Sequence, residues 1–287
     1  MKRTMKTLVA TVLSIASTAV PAAVFAPSAH ADELQVMSYN ILRAANDGEN
    51  NWGKRRDNLI ADVKATDPDL LGFQEAEKHQ MDFLTEKLPE YSYIGVGRDD
   101  GADRGEFCPV FYKADLFEVL DSGTFWLSET PDVPGKKGWG AMCNRVVSWG
   151  KFRHKANGRE FVFACTHFDH ISENARRESS KLILKFKEEK AAGLPFIVTG
   201  DFNSADTDQA YLTITQELRD ARKDAKSFEG GSRTFRFPGK SKAEEWIIDY
   251  IFLTGDFTVE SFRIHDNPPK PNPEPSDHFS IDARLTW

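Results

Sequence analysis

The segment PFIVTGDFNS, residues 195–204, leads from a short apolar strand straight into a carboxylate and an amide two positions apart. Residues i and i+2 of an extended chain point to the same side. The spacing therefore predicts that Asp201 and Asn203 face one point just past a strand end, an arrangement that suits a metal, a water or a phosphate. A plain turn built on Gly200, Asp201 and Asn203 fits the same letters. Asp249 is the sharper anomaly. It sits in WIIDYIFL, apolar on both faces, and a carboxylate buried without a partner is costly or gives up its charge. A histidine would serve as that partner; a strand-end aspartate bonded to backbone amides is the alternative. His167 ends FVFACTH on the side shared by Phe161, Phe163 and Cys165, so it emerges from the core at a strand terminus. Glu75 follows DLLGFQ and is expected to open a helix, where acids are favoured. Asn40 ends the first strand, and Asp277 and His278 precede the last. Each has an ordinary structural reading. Together they gather acids, amides and imidazoles at strand ends, where hard oxygen ligands select Mg²⁺-like ions and two histidines can meet phosphate oxygens. The sequence holds no glycine–lysine phosphate loop and no H-E-x-x-H helix.

The elements that must position these residues alternate strands with a few helices. LQVMSYNI, DLLGF, FCPVFYK, FEVLDSGTFWL, VVSWGKFRH, EFVFACTHF, PFIVTG and WIIDYIFLT read as strands, with a hairpin signal at ANGR. DNLIADVKAT and a stretch through Phe83, Leu84 and Leu88 read as helices. Residues 173–192 give the clearest one, with Ala175, Leu182, Ile183 and Phe186 at helical spacing. HFSIDARLTW alternates Phe279, Ile281, Ala283, Leu285 and Trp287 against polar residues, which predicts a half-exposed closing strand. Intermixed strands and helices suggest two packed sheets with helices outside. Loops near 122–145 and 226–245 read as long, and DNPPKPNPEPS as a proline-stiffened approach to the last strand.

The first stretch is an address. Lys2, Arg3 and Lys6 precede an apolar run from Leu8 to Phe25, and Ala29-His30-Ala31 supplies a cleavage pattern. Residues 1–31 therefore read as a signal peptide cleaved near Ala31, which implies export, with no stable membrane anchor. Residues 32–287 are enough for one domain. Without Lys2, Arg3 and Lys6, the 37 Lys and Arg become 34 against 44 acids, a charge of −10. So acidic a chain disfavours nonspecific nucleic-acid binding, which rests on phosphate neutralisation. Cys108, Cys143 and Cys165 form no disulfide framework, and buried thiols are expected at Cys108 and Cys165.

The motifs SYN, GFQE, THF, GDFN, IDYIF and SDHF, in this order, resemble the endonuclease/exonuclease/phosphatase superfamily across residues 34–287. The resemblance implies an α/β (α+β) four-layer α-β-β-α sandwich of two mainly antiparallel sheets, with the site across the top of both. It implies that Glu75, helped by Asn40 and Asp277, holds a divalent metal, Mg²⁺ with Mn²⁺ or Ca²⁺ as alternatives. Asp201 would orient or deprotonate the attacking water, and Asn203 would fix that water or the phosphate. His278, oriented by Asp249, would bind the phosphoryl oxygen. RGEFCPVFYK matches the family strand that carries an acid, so Glu106 would support His167, and His167 would contact the phosphate or assist the leaving group. Arg98 and Arg145 are candidate phosphate contacts; Asp169 and His170, more polar than in many relatives, read as metal ligands, as substrate contacts or as caps of the helix beginning near Ser172.

The expected activity is hydrolysis of a phosphate ester of a small molecule: a sugar phosphate, an inositol phosphate or a lipid head group. A secreted nuclease acting on nucleic acid is the alternative, and Lys136, Lys137, Arg233, Arg236, Lys240 and Lys242 would be its basic patch or simply solvated loop charges. A binding protein on an inactive scaffold is a third class, opposed by the competent residue at every matched position. The expected assembly state is a monomer.

Overall fold

Alternating side chains set the layers. The computed structural model describes residues 32–44, 48, 51–236, 246–266 and 273–287; residues 1–31, Lys240 and Lys242 lie outside them. In chain order the elements begin β1 (Glu33–Asn40), α1 (Trp52–Thr66), β2 (Leu70–Gln74), α2 (Lys78–Lys87), β3 (Tyr91–Ile94), β4 (Val110–Lys113), β5 (Phe117–Trp126), β6 (Val146–His154) and β7 (Glu160–His167). They continue with α3 (Glu173–Phe186), β8 (Phe196–Asp201), α4 (Gln209–Ile214), β9 (Arg219–Asp220), α5 (Ala221–Asp224), β10 (Phe228–Glu229), β11 (Asp249–Leu253), β12 (Thr258–Ile264) and β13 (Ile281–Thr286). On β1, Leu34 and Val36 join the large apolar cluster between the sheets. Met37 and Tyr39, on the opposite face, join Trp52, Leu59 and Val63 of α1 and Met81 and Leu84 of α2. That period of two is what lets one strand serve two layers.

The first sheet has the order β10-β12-β13-β1-β2-β4-β3 and the second β5-β6-β7-β8-β11-β9. Phe186 of α3 packs on Phe125 and Trp149, and Tyr211 of α4 packs on Tyr250 and Phe252, so these helices cover the outer face of the second sheet. Helix, sheet, sheet, helix is the four-layer sandwich expected from the motifs. No helix among the described residues is long and apolar enough to cross a membrane. All three cysteines are free thiols, with Cys108 and Cys165 buried.

Several local expectations change. α1 starts at Trp52, ahead of the expected Asp57, because Trp52 packs edge-on against Phe83 of α2. α3 ends at Phe186, and a π-turn over Lys187–Ala191 leads to a left-handed Ala192. β3 and β12 carry weak patterns and are recognised only by their pairing with β4 and β13. β5 extends to Trp126, which shortens the loop expected near 122–145. The polar face of the last strand is solvated only toward its end: Arg284 is exposed, while Asp282, and Ser280 just before β13, are buried. β12 and the residues after it supply the cover, with Arg263 Nε 3.0 Å and His265 Nε2 2.5 Å from Asp282 Oδ2.

Candidate active site

Strand direction explains why distant polar residues meet. β1 and β2 are parallel, as are β7 and β8, so the four strands end at one edge of the sandwich. β11 returns antiparallel with Asp249 opposite Asp201, and β13 returns with Ile281 opposite Ser38. Asn40, His167 and Asp201 thus finish strands of two sheets, while Asp249 and His278 arrive on the strands coming back. The backbone is crowded beneath them. A Cβ at Gly72 would stand 2.3 Å from Thr199 Oγ1, and one at Gly200 would stand 2.3 Å from Thr166 O. Only glycine fits such close approaches.

Two site residues take left-handed backbone, Glu75 at φ 66° and Asn203 at φ 47°. Glu75 therefore does not open a helix; α2 begins at Lys78 behind the Glu77 cap. Its turn folds the carboxylate back over the sheet, where Oε2 accepts the Arg43 N–H at 3.0 Å and Oε1 accepts from Asn40 Nδ2 at 3.0 Å. Asn203 likewise leaves the extended path that i, i+2 spacing implies. Phe202 is buried against Phe168 and Phe252, and the chain turns so that the Asn203 N–H donates to Asp201 Oδ1 at 2.9 Å. The turn reading of GDFN holds, and it leaves half of the carboxylate facing the site. One Asp201 oxygen closes a turn, and the other faces Asn40 Nδ2 at 3.0 Å, His167 Nε2 at 3.4 Å and His278 Nε2 at 3.6 Å.

The buried Asp249 has its histidine. His278 Nδ1 lies 2.9 Å from Asp249 Oδ2, with side chains only 5% and 3% exposed. Burial disfavours the imidazolium, but Asp249 and then Asp201 outweigh it and raise His278 to about 10. Burial raises Asp201 to about 7, Asp249 adds to the effect, and His278 opposes it. His167 is driven the other way: burial first, then Arg145 and Arg98, hold it well below the usual imidazole value. The site thus pairs a cationic His278 with a neutral His167 and a carboxyl poised near neutrality, the divergence that marks acid–base sites.

Two expected roles change, those of Glu106 and Asn40, and the open reading of Asp169 is decided for capping. Glu106 does not support His167. Its carboxylate is gripped by Arg98, Nη2 to Oε1 at 3.0 Å, because a guanidinium fork matches a carboxylate better than a neutral imidazole does; His167 Nδ1 has no hydrogen-bond partner among the described residues. Asp169 makes no contact with the cavity. Its Oδ2 accepts the N–H groups of Met142 and Cys143, and its Oδ1 those of Ile171 and Ser172, so it organises two loops. Asn40 turns its amide nitrogen to Glu75 and Asp201 while its oxygen accepts the Leu42 N–H at 3.0 Å, the posture of an orienting group. Arg98, Arg145 and His170 do line the cavity of about 730 Å³, together with Glu75, Asp277 and His278. Of the expected basic patch, Arg236 stacks 4.2 Å from the Phe279 ring and pairs with Glu274.

Arg55 was not foreseen. It is buried, and its guanidinium donates to the carbonyls of Ile41, Leu42 and Arg43 after β1 and of Pro275 before His278. It ties the two segments that carry Asn40 and Asp277 together. The available signal was its place on the apolar face of α1, three positions after Trp52 and four before Leu59. Ser276 adds a second tie, its hydroxyl donating to Asn40 O at 2.6 Å.

Glu75, His167 and Asp201 bring one ligand atom each within 4.8 Å of one another. Burial raises Asp277, His278 opposes the shift and Glu75 adds to it, so a cation beside these two carboxyls would relieve both. The residues present fit a hard divalent ion. A family model described as "Endonuclease/Exonuclease/phosphatase family" matches residues 37–278. The chain belongs to the endonuclease/exonuclease/phosphatase family. The structure of a family member from Bacteroides vulgatus is 41% identical, covering 89% of this chain and 99% of that one at a TM-score of 0.85. The mannosyl-6-phosphatase of Bacteroides thetaiotaomicron is 38% identical, covering 88% of this chain and 100% of its own at a TM-score of 0.81. Among curated relatives, nocturnin of Drosophila melanogaster is 23% identical over 87% of this chain, which spans 46% of that protein. Members of the family are hydrolytic phosphoesterases and generally use a divalent metal.

Proposed function

We propose that this chain is an exported, Mg²⁺-dependent phosphoesterase that hydrolyses a phosphorylated small molecule, with a sugar phosphate as the favoured substrate. The observation that carries the reading is the Asp249–His278–Asp201 network, in which a buried pair 2.9 Å apart holds a cation beside a carboxyl of pKa about 7. Similarity to a mannosyl-6-phosphatase over nearly the whole described chain supports the substrate class. The basic start and cleavage pattern in residues 1–31 support export.

Each residue has work that its geometry supports. His278 donates to a phosphoryl oxygen while Asp249 fixes its ring and charge. Asp201, ionising near neutrality, accepts a proton from the attacking water through the oxygen that Asn203 does not occupy. Asn203 is anchored by Phe168 O at 3.0 Å and stands 3.1 Å from His167 Nε2, which aligns both toward the phosphate. Glu75 and Asp277 are the residues that would hold the metal, and Asn40 and the Arg43 N–H orient Glu75. The ion, when bound, neutralises charge on the phosphoryl oxygens.

The test is a substrate panel with purified protein: sugar phosphates, inositol phosphates, phosphodiesters, DNA and RNA, each with Mg²⁺, Mn²⁺ or Ca²⁺. Hydrolysis of a sugar phosphate should vanish with EDTA and return with Mg²⁺. Full turnover in thoroughly chelated protein would remove the metal from the proposal. Preferred cleavage of DNA or RNA would favour the second reading, a nuclease, which the family's endonuclease and exonuclease members support and the charge of the chain opposes.

A further inference from the structure

We propose that Arg98, Glu106 and Arg145 form a charge triad that selects phosphate monoesters over diesters, with Arg145 as the specificity-determining residue. The proposal rests on the phosphoesterase reading above and names the class of ester that the site accepts.

The triad is built from two places in the chain. Arg98 and Glu106 close a loop whose ends are paired through the backbone, Arg98 N–H donating to Glu106 O at 3.1 Å. Trp126 Nε1 pins the same turn by donating to Arg98 O at 2.6 Å. Arg145 comes from the residue before β6. Because Val147 faces Thr166 across the β6–β7 pair, Arg145 lies beside the end of β7 that presents His167. The Leu127 N–H donates to Arg145 O at 2.8 Å and fixes its backbone. All three side chains line the cavity that also holds His167, Asn203 and Asp201.

The charges do not balance. Arg98 takes both Glu106 oxygens, at 2.5 and 3.0 Å. Arg145 Nη1 is left 4.0 Å from Glu106 Oε2, beyond hydrogen-bonding reach. Its Nη2 lies 3.2 Å from His170 Nδ1, and Nε and Nη1 have no hydrogen-bond partner among the described residues. The Arg145 side chain is 5% exposed. Two guanidiniums thus share the Glu106 carboxylate. The Asp169 carboxylate also lies within electrostatic range of Arg145, but its oxygens accept four backbone N–H groups, so Arg145 keeps unmet donors in a largely desolvated place on the cavity wall. A buried cation with unmet donors is expensive, and an anion in the cavity relieves it.

Ester class then follows from charge. A diester carries one negative charge, which His278 already meets. A monoester near neutral pH carries close to two, and the second is what the triad answers. At an effective dielectric constant near 20, one added charge pair several ångströms apart amounts to roughly a 100-fold preference.

The experiment compares p-nitrophenyl phosphate with bis(p-nitrophenyl) phosphate under Mg²⁺, and measures inorganic phosphate binding by calorimetry. It uses the wild type, Arg145→Met, Arg145→Lys and Glu106→Gln, with thermal midpoints to verify folding. The wild type should prefer the monoester. Arg145→Met should lose about 100-fold in kcat/KM on the monoester and less than about threefold on the diester, and should bind phosphate at least about tenfold more weakly. Arg145→Lys should keep most of the phosphate affinity. Glu106→Gln, which uncovers a second cation, should bind phosphate more tightly. Equal losses on both esters, a wild type that prefers the diester, or unchanged phosphate affinity in Arg145→Met would overturn the triad. If the wild type hydrolyses neither ester, the sugar-phosphate panel decides the phosphoesterase reading and the phosphate-binding arm decides the triad. If Arg145→Met does not fold, the opposite signs expected for Glu106→Gln and Arg145→Lys decide it.

Discussion

Replacing Asp249 with asparagine keeps the shape of the side chain and removes its charge, so it isolates what that charge does. Asp249 Oδ2 stands 2.9 Å from His278 Nδ1 inside the protein. With charge centres about 4 Å apart and an effective dielectric constant near 20, the pair is worth about 4 kcal/mol, or about 3 pKa units. His278, now raised to about 10, should fall to about 7 in Asp249→Asn. Asp249 also raises Asp201, so Asp201 should ionise at lower pH in the variant. In the proposed mechanism turnover needs Asp201 ionised and His278 protonated, which gives the wild type a bell-shaped profile bounded by about 7 and about 10. In Asp249→Asn both limbs should move toward acid. At about pH 9, kcat/KM should drop about 100-fold, and most of the loss should be recovered near pH 6. The assay is a pH–rate profile from pH 5 to pH 10, with the His278 imidazole followed by NMR. An unshifted alkaline limb, or a His278 pKa still near 10, would show that Asp249 does not hold the charge and would refute the reasoning.

The remaining expectations concern the water-facing carboxylate, the hidden arginine and the acid limit of the fold. Asp201→Asn should cut kcat by roughly 10²–10⁴-fold with little change in thermal midpoint, because the amide oxygen still accepts the Asn203 N–H; a normal kcat would leave GDFN as a turn and nothing more. Arg55→Met should cost about 3–5 kcal/mol by urea denaturation, since two buried and two partly buried carbonyls lose a charged donor together; a loss below about 1 kcal/mol would contradict that count. Burial opposes ionisation of Asp282, but His265 and Arg263 overcome it and lower its pKa. Its contribution is therefore present above the ordinary carboxylate value and disappears as pH falls through the lowered one. Asp282→Asn should be less stable than the wild type at pH 7, and the two should converge near pH 2; a gap that persists in acid would exclude the ion pair as its source.

The sequence by itself determined the strand cores, the order of the motifs and the anomaly of Asp249. These are local matters. A period of two or 3.6 is written in neighbouring residues, and the cost of a carboxylate in an apolar strand does not depend on knowing its partner. Two packed sheets with helices outside, and polar residues at strand ends, were legible for that reason; the four-layer fold and the shared site of Asn40, Glu75, His167, Asp201, Asn203, Asp249, Asp277 and His278 were implied by the resemblance that the ordered motifs carry. Which atoms meet was decided by the tertiary structure. Glu106 faces two possible partners, and the loop that pairs Arg98 N–H with Glu106 O places the guanidinium first. Asp169 reads equally as a ligand, a substrate contact or a cap until four N–H groups from two loops converge on it. Glu75 and Asn203 adopt left-handed turns that spacing rules do not anticipate, because those rules assume a regular backbone. Arg55 reads as one more charged helix residue until Pro275, 220 positions away in sequence, brings its carbonyl within 2.8 Å. Hydrogen bonds and ion pairs act over a few ångströms, so partner choice depends on where remote strands and loops end, and the folded chain alone sets those positions.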